Sequence, residues 1–166
     1  MTIRPATAAD LPAVLPMVRK EAAFHEGLDP AKYPYRSDPG EVYRGWLTKR
    51  VTDERSVFLV ADAAGRGEPP RPVGFLIGMV EAEIPIYRVR EFGFVHDVWV
   101  DDDYRHEGVG RQLVMRAVER FKEIGVVQVR LDVVHTNEAA RKLFEQCGFR
   151  PSVTEMLVEL EPVPAK

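Results

Sequence analysis

The pattern that most limits the possible folds is an apolar stripe at helical spacing between two β-like segments. The residues of the stripe are Val109, Leu113, Val114, Ala117, Val118 and Phe121. Charged residues occupy the opposite face, as in a helix with one side on a core. Phe92 to Val100 before it predicts a long strand, and the alternation from Val127 to Val133 after it predicts a half-buried one. A strand–helix–strand unit of this kind indicates an α/β protein.

The segment before this unit predicts a strand, two helices and a hairpin. Thr7 and Asp10 have the spacing of a capping box, and an apolar stripe that starts at Leu11 follows them. Asp38 precedes Pro39 and Glu41 in a second helix-start pattern. The compact apolar runs Val57–Ala61 and Val73–Val80 then predict two strands, joined by a turn-rich tip over residues 64–70.

The last part of the chain predicts one helix and one strand. Asn137 is the expected N-cap of the helix, and Gly148 is its expected end. Val153 to Leu160 alternates apolar and polar residues and predicts a final strand. The predicted order is therefore β-α-α-β-β-β-α-β-α-β, a mixed central α/β sheet flanked by helices, in a single domain over residues 1–166.

Composition narrows the range of functions. With 166 residues, 45% of them hydrophobic, the chain is long enough to bury a core without a metal ion or a disulfide bond. Its single cysteine, Cys147, excludes an intrachain disulfide and suits a reducing cytoplasm. A net charge of -3 gives no support for nucleic-acid binding, and no apolar run has the length of a membrane span.

The turn from Arg105 to Gly110 is the most informative motif, since it connects a strand to the start of the most regular helix. Its glycines let backbone amides converge on an anion, and the helix N-terminus adds unpaired N–H groups, so we expect a phosphate there. A dinucleotide-binding fold would need a third glycine where Leu113 stands. A P-loop would need Gly-Lys-Ser/Thr, which is absent.

Three motifs in this order resemble those of the GCN5-related N-acetyltransferase (GNAT) superfamily. They are Val98-x-Val100, Arg105-x-x-Gly108-x-Gly110 and Asn137-x-x-Ala140-x-x-Leu143-Phe144-x-x-x-Gly148-Phe149. The resemblance implies that acetyl-CoA is the co-substrate and that its acetyl group passes directly to a primary amine of a small molecule, peptide or protein. It also implies a bulge in the strand Phe92–Val100, and a homodimer is compatible with family habit.

By this resemblance, a defined set of residues binds acetyl-CoA. Val98, Trp99 and Val100 would hold the pantetheine arm and the thioester, and the backbone of the Arg105–Gly110 turn would hold the pyrophosphate. The full set is Val98, Trp99, Val100, Arg105, His106, Glu107, Gly108, Val109, Gly110, Arg111, Asn137 and Phe144. An N-cap is a sufficient alternative role for Asn137.

An acceptor amine must lose a proton to react. A free alkylamine with a pKa of about 10.4 is neutral in roughly one molecule in 10³ at pH 7, so a base or a water chain helps. His96 on the long strand is one candidate, and a hydrogen-bonded structural histidine is the alternative for it. Glu81 and Glu83, which end the preceding strand, are the other candidates, with a solvated strand edge as the alternative for both.

One position departs from the family pattern. Phe144 stands where the family often has a tyrosine that protonates the departing thiolate. Tyr33, Tyr35, Tyr87 or water would have to replace it, and these tyrosines lie in the expected acceptor loops, residues 25–37 and 84–91. A catalytically silent acyl-CoA-binding module and a plain nucleotide-binding domain are the alternative functions. The histidines and acids have no metal-ligand spacing, so no metal site is expected.

Overall fold

The computed structural model describes residues 1–64 and 69–161. Its strands are β1 (Thr2–Pro5), β2 (Ser56–Ala63), β3 (Arg71–Ala82), β4 (Glu91–Val100) and β5 (Val129–Leu131). Its helices are α1 (Leu11–Leu28), α2 (Pro39–Val51), α3 (Val109–Ile124) and α4 (Glu138–Gln146), with short 3-10 turns at Ala8–Asp10 and Asp102–Tyr104. The predicted order is thus confirmed from the first strand to the last helix. Of the predicted hairpin tip, residues 65–68 lie outside the described residues.

The sheet has five strands in the order β1-β2-β3-β4-β5. The pairs β1–β2, β2–β3 and β3–β4 are antiparallel, whereas β5 is parallel to β4, as a crossover through α3 requires. This confirms the predicted mixed α/β sheet. Each face carries its own core, one with α1 and α2 and one with α3. The interior strand β2 is buried along its whole length between them.

Local capping signals in the sequence are confirmed. The Thr7 N–H donates to Asp10 Oδ2 at 2.7 Å. The Glu41 N–H donates to Asp38 Oδ1 at 3.1 Å, and the Ala140 N–H donates to Asn137 Oδ1 at 3.1 Å. At the other end of a helix, Gly125 adopts a left-handed φ of 101° and terminates α3. These short-range bonds fix where the helices of each layer begin and end.

The predicted final strand, Val153–Leu160, is wrong for this structure. The chain there is exposed and belongs to no strand. A strand needs a neighbour for its backbone groups, and β5, the strand at that edge, extends over only three residues instead of the predicted seven. The alternating pattern therefore describes a segment that is able to pair but has no strand beside it within the described residues.

Candidate active site

A β-bulge in β4 creates the centre of the site. Opposite β3, Ile77 pairs with Asp97 and the next residue, Gly78, pairs with Val95, so His96 is an extra residue in β4. The bulge places two successive side chains on the face covered by α2. The His96 ring is 5.4 Å from the Trp46 ring, and the Asp97 carboxylate accepts a hydrogen bond from Tyr43. The bulge implied by the sequence resemblance is therefore present, at His96.

The strands β4 and β5 separate at the bulge. Their last pair is Val95 with Leu131, yet β4 continues to Val100. On this side, Val98, Trp99 and Val100 have no β5 residue opposite them. Their side chains are divided between the two cores, with Trp99 on the α1 side and the two valines on the α3 side. The arrangement opens a gap in the sheet beside the backbone of the three predicted cofactor residues.

The turn before α3 adopts the conformation that an anion site needs. Gly108 has a left-handed φ of 78° and precedes the first helical residue, Val109. A Cβ atom on Gly108 would meet nothing within 4 Å, so the approach to the helix N-terminus is open. The first N–H groups of any helix lack intrahelical acceptors, and their dipoles favour a negative charge. His106, Glu107 and Arg111 are exposed around this opening.

Gly110 and Arg105 determine how the turn packs against α4 and the end of β4. A Cβ atom on Gly110 would lie 3.2 Å from Leu143 Cδ2, so a larger residue would press against α4. The Arg105 Nε donates to the Val100 carbonyl at 3.0 Å, and its guanidinium lies 4.5 Å from the centre of the Trp99 ring. The Arg105 side chain therefore braces the turn against the end of β4.

The structure brings His96 and Glu81 together. His96 Nε2 lies 3.0 Å from Glu81 Oε1, although the two atoms do not form a hydrogen bond. Within residues 1–64 and 69–161, Nε2 is buried without a hydrogen-bond partner. The third candidate, Glu83, lies beyond the end of β3 and pairs with Arg130 at 2.6 Å. That hydrogen bond lowers the pKa of Glu83.

Two carboxyl groups beside the bulge, those of the buried Glu21 and the half-buried Asp97, did not feature among the predicted site residues. Burial raises the pKa of Glu21 on α1 well above its usual range, and the charge of Asp97 adds to this, whereas the Val98 backbone N–H lowers it. Burial also raises the pKa of Asp97, against the opposing effects of the Tyr43 hydrogen bond and the charge of His96. A sequence signal existed for Glu21, because it follows Val18 by three residues on the apolar stripe of α1.

The predicted tyrosines occupy different surroundings. Tyr33 stacks between His25 and Tyr35, with ring centres 5.2 and 6.1 Å away. Burial raises the pKa of Tyr35 to about 12, with smaller contributions from the charges of Asp97 and Glu21. The loop between α1 and α2 thus reaches Glu21 and Asp97, whereas Tyr87 is exposed in the loop between β3 and β4.

Asn137 precedes α4 and Phe144 lies within it, on the other side of the gap. The Asn137 side chain caps the helix, as described above. Phe144 is half-buried, and its ring meets Phe149 edge to face at 5.9 Å. Both residues thus have a structural role apart from any contact with a ligand.

In the described part of the chain, no group of three or more His, Cys, Asp and Glu side chains has an arrangement that would hold a metal ion. No helix within the described ranges is both long and apolar enough to cross a membrane.

The comparisons with known proteins agree with this geometry. Residues 21–149 match the model of the Acetyltransferase (GNAT) family, and the chain therefore belongs to that family. An uncharacterized N-acetyltransferase of Methanocaldococcus jannaschii, MJ1207, is 32% identical over 149 residues, which are 89% of this chain and 60% of that protein. The chain thus spans less than two thirds of the length of this relative.

Solved structures share the whole fold. A variant of the BH1408 protein from Bacillus halodurans superposes with a TM-score of 0.83 at 21% identity, over 97% of this chain and 100% of that one. AAC(6')-Iy in complex with the bisubstrate analogue CoA-S-monomethyl-acetylneamine gives a TM-score of 0.70 at 15% identity, over 96% and 97% of the two chains. At these identities the likeness concerns the fold alone.

Proposed function

We propose that this protein is an N-acetyltransferase that moves an acetyl group from acetyl-CoA to a primary amine of a small molecule or peptide. The observation that carries the proposal is the gap between β4 and β5, which opens beside the N-terminus of α3. A bound thioester requires exposed backbone groups, and a bound pyrophosphate requires unpaired amides. Both features occur at the same end of β4, and membership of the GNAT family supports their joint use.

The turn before α3 and the gap between β4 and β5 would bind different parts of acetyl-CoA. Backbone N–H groups from Gly108 to Arg111 would hold the pyrophosphate, with His106 and Glu107 at the rim. Val98, Trp99 and Val100 would line the pantetheine arm and present a backbone donor to the thioester oxygen, where negative charge develops during transfer. Asn137 and Phe144 would border the same arm from α4.

The transfer requires a proton acceptor near the bulge. The amine nitrogen forms a bond to the acetyl carbon, the carbon–sulfur bond breaks with its electron pair on sulfur, and the amine proton passes to a base. We assign this base to His96, with Glu81 beside it, because Nε2 is buried, unpartnered in the described residues and 3.0 Å from Glu81 Oε1. Glu83 is the weaker candidate, since Arg130 already neutralises it.

The acceptor would approach from the α1–α2 side. Glu21 and Asp97 lie there, and within the described residues neither carboxyl group forms an ion pair. An ammonium group would supply the missing positive charge, which favours acceptors that enter as cations. Tyr33 and Tyr35 would flank such an acceptor, and Tyr87 would contact its outer part.

The test is an acetyl-transfer assay over a panel of primary amines, with release of free thiol as the signal. Transfer to at least one amine with saturation by acetyl-CoA is the expected result. Thermal stabilisation by CoA without transfer to any amine would instead indicate a silent acyl-CoA-binding module. Stabilisation by ADP equal to that by CoA would favour a plain nucleotide-binding domain.

A further inference from the structure

The backbone groups at the end of β4 point in two directions, toward β3 or into the gap. The Asp101 N–H donates to the Val73 carbonyl at 2.8 Å, so Asp101 faces β3. Alternate residues of an antiparallel pair direct both backbone groups to the partner strand. Trp99 therefore also faces β3. Val98 and Val100 direct their N–H and carbonyl groups into the gap, where β4 has no β5 residue opposite it.

Two of these gap-facing groups already bind side chains of this chain. The Arg105 Nε donates to the Val100 carbonyl at 3.0 Å. The Val98 N–H donates to the Glu21 carboxyl group. Val98 is also the gap-facing residue nearer to the proposed base, His96. Its N–H is therefore the donor best placed for the thioester oxygen, and a residue of α1 holds it in this structure.

The packing of α1 along the end of β4 keeps Glu21 at this position. Lys20 Nζ donates to Asp101 Oδ1 at 2.6 Å, and the Phe24 ring lies 6.1 Å from the Trp99 ring. Glu21 lies between these two contacts in the sequence and is only 5% exposed. Because α1 is attached to β4 on both sides of Glu21, its carboxyl group points to the strand and not to solvent.

A neutral carboxyl group resembles the thioester that this site is proposed to bind. Burial and the nearby charge of Asp97 raise the pKa of Glu21, which favours the neutral acid. The carbonyl oxygen of a neutral acid accepts a hydrogen bond from an amide, as a thioester carbonyl does, and binds less strongly than a carboxylate. The Val98 N–H has one hydrogen to donate. The thioester can therefore use it fully only if Glu21 gives it up.

We propose that Glu21 occupies the thioester donor site in the free protein and releases the Val98 N–H to the carbonyl oxygen of acetyl-CoA. This inference rests on the proposed function. Binding of the thioester then exchanges one hydrogen bond for another, so the carbonyl oxygen adds little affinity. After transfer, CoA has no such carbonyl, and Glu21 returns to Val98. Glu21 is thus a positioning residue that keeps a buried amide from losing its acceptor, which is costly.

Titration calorimetry in the absence of any acceptor amine tests the exchange. Acetyl-CoA is compared with S-ethyl-CoA, a thioether of similar size that lacks the carbonyl oxygen. The native chain is expected to bind the two within about threefold, because one hydrogen bond replaces another. In Glu21→Ala the Val98 N–H has lost its acceptor, so the preference for acetyl-CoA is expected to rise at least about 10-fold. Glu21→Gln retains a carbonyl acceptor and is the matched control, with the native preference expected.

The outcomes separate this inference from the function on which it rests. A smaller rise in folded Glu21→Ala, or the same rise in Glu21→Gln, would overturn the role of Glu21. If Glu21→Ala does not fold, the native chain decides, since a native preference above about threefold would mean that the carbonyl finds an unoccupied donor. A native chain that binds neither compound would contradict the proposed function itself. Binding of both with an unchanged preference in Glu21→Ala would contradict this inference alone.

Discussion

The Tyr43 hydroxyl donates a hydrogen bond to the Asp97 carboxylate at 2.5 Å and so ties α2 to the bulged strand β4. Burial raises the pKa of Tyr43, and the charge of Asp97 raises it further, so the phenol remains a donor across the physiological range. Asp97 directly follows the extra residue of the bulge. The bond therefore holds the α2 layer against the part of β4 where the candidate active site begins.

Substitution of Gly110 by aspartate is expected to abolish CoA binding. The new side chain would press on Leu143, whose Cδ2 would be 3.2 Å from the added Cβ, and its charge would repel the pyrophosphate. Gly45→Asp is the matched control, because a Cβ there meets nothing within 4 Å on the distant helix α2. Isothermal titration with CoA measures the difference. Equal affinity in folded Gly110→Asp and Gly45→Asp proteins would exclude the α3 N-terminus as the pyrophosphate site.

Replacement of His96 by alanine is expected to lower kcat by about 10²-fold or more with little change in CoA affinity, as for loss of a general base. The profile of kcat/KM against pH is expected to lose the limb that protonation of the base causes. His135→Ala, which removes an exposed histidine, serves as the control. If His96→Ala retains the native rate and pH profile, the role passes to Glu81, Glu83 or water.

Restoring the family residue at position 144 tests the leaving-group step. Phe144→Tyr adds one hydroxyl group at nearly constant ring volume, and a donor near the thiolate is expected to raise kcat if protonation of sulfur limits the reaction. Turnover with acetyl-CoA is the measurement, with CoA affinity as a check that the ring remains in place. An unchanged kcat would mean that solvent or a loop tyrosine already supplies the proton, or that another step is limiting.

The buried carboxyl group of Glu21 is expected to make stability depend on pH. Its pKa in the folded protein is raised above the usual 4.5, so its favourable contribution is complete below that pH and is lost as the pH rises through the folded-state value. Glu21→Gln should therefore match the native protein near pH 4 and exceed it increasingly above. Between the usual pKa of 4.5 and the folded-state pKa of Glu21, the difference in the free energy of unfolding between the variant and the native protein grows by about 1.4 kcal/mol per pH unit.

Urea unfolding at several pH values measures this difference in the free energy of unfolding. Glu145→Gln, at an exposed position on α4, is the control and is expected to show no such trend. A native protein that stays as stable as Glu21→Gln up to pH 8 would mean that Glu21 ionises without cost in the fold.

Features encoded over a few residues were predictable from the sequence. The caps at Thr7, Asp38 and Asn137 depend on side chains three residues from their partners, and the turn before α3 depends on glycine. The resemblance to the family implied a bulge in β4. The extra residue is defined only by the pairing of β4 with Ile77 and Gly78 on β3, which no local pattern reveals.

Features that depend on tertiary neighbours were missed. Glu21 lies on an apolar stripe, but only the approach of α1 to β4 shows that it meets Asp97. Val153–Leu160 has a correct strand pattern, yet a pattern does not create the neighbour that a strand requires. The sequence therefore indicates that a segment is able to form a strand, and the arrangement of the other elements decides whether it does.

The bulge also reverses the parity of β4. Val95 and Trp99 lie four positions apart and would share one face of a regular strand, yet they belong to cores on opposite faces. Deleting one residue before Trp99 would exchange the faces of everything from that point to the turn at Arg105. The arrangement of side chains at this site thus depends on the number of residues along β4 as much as on their chemical identity.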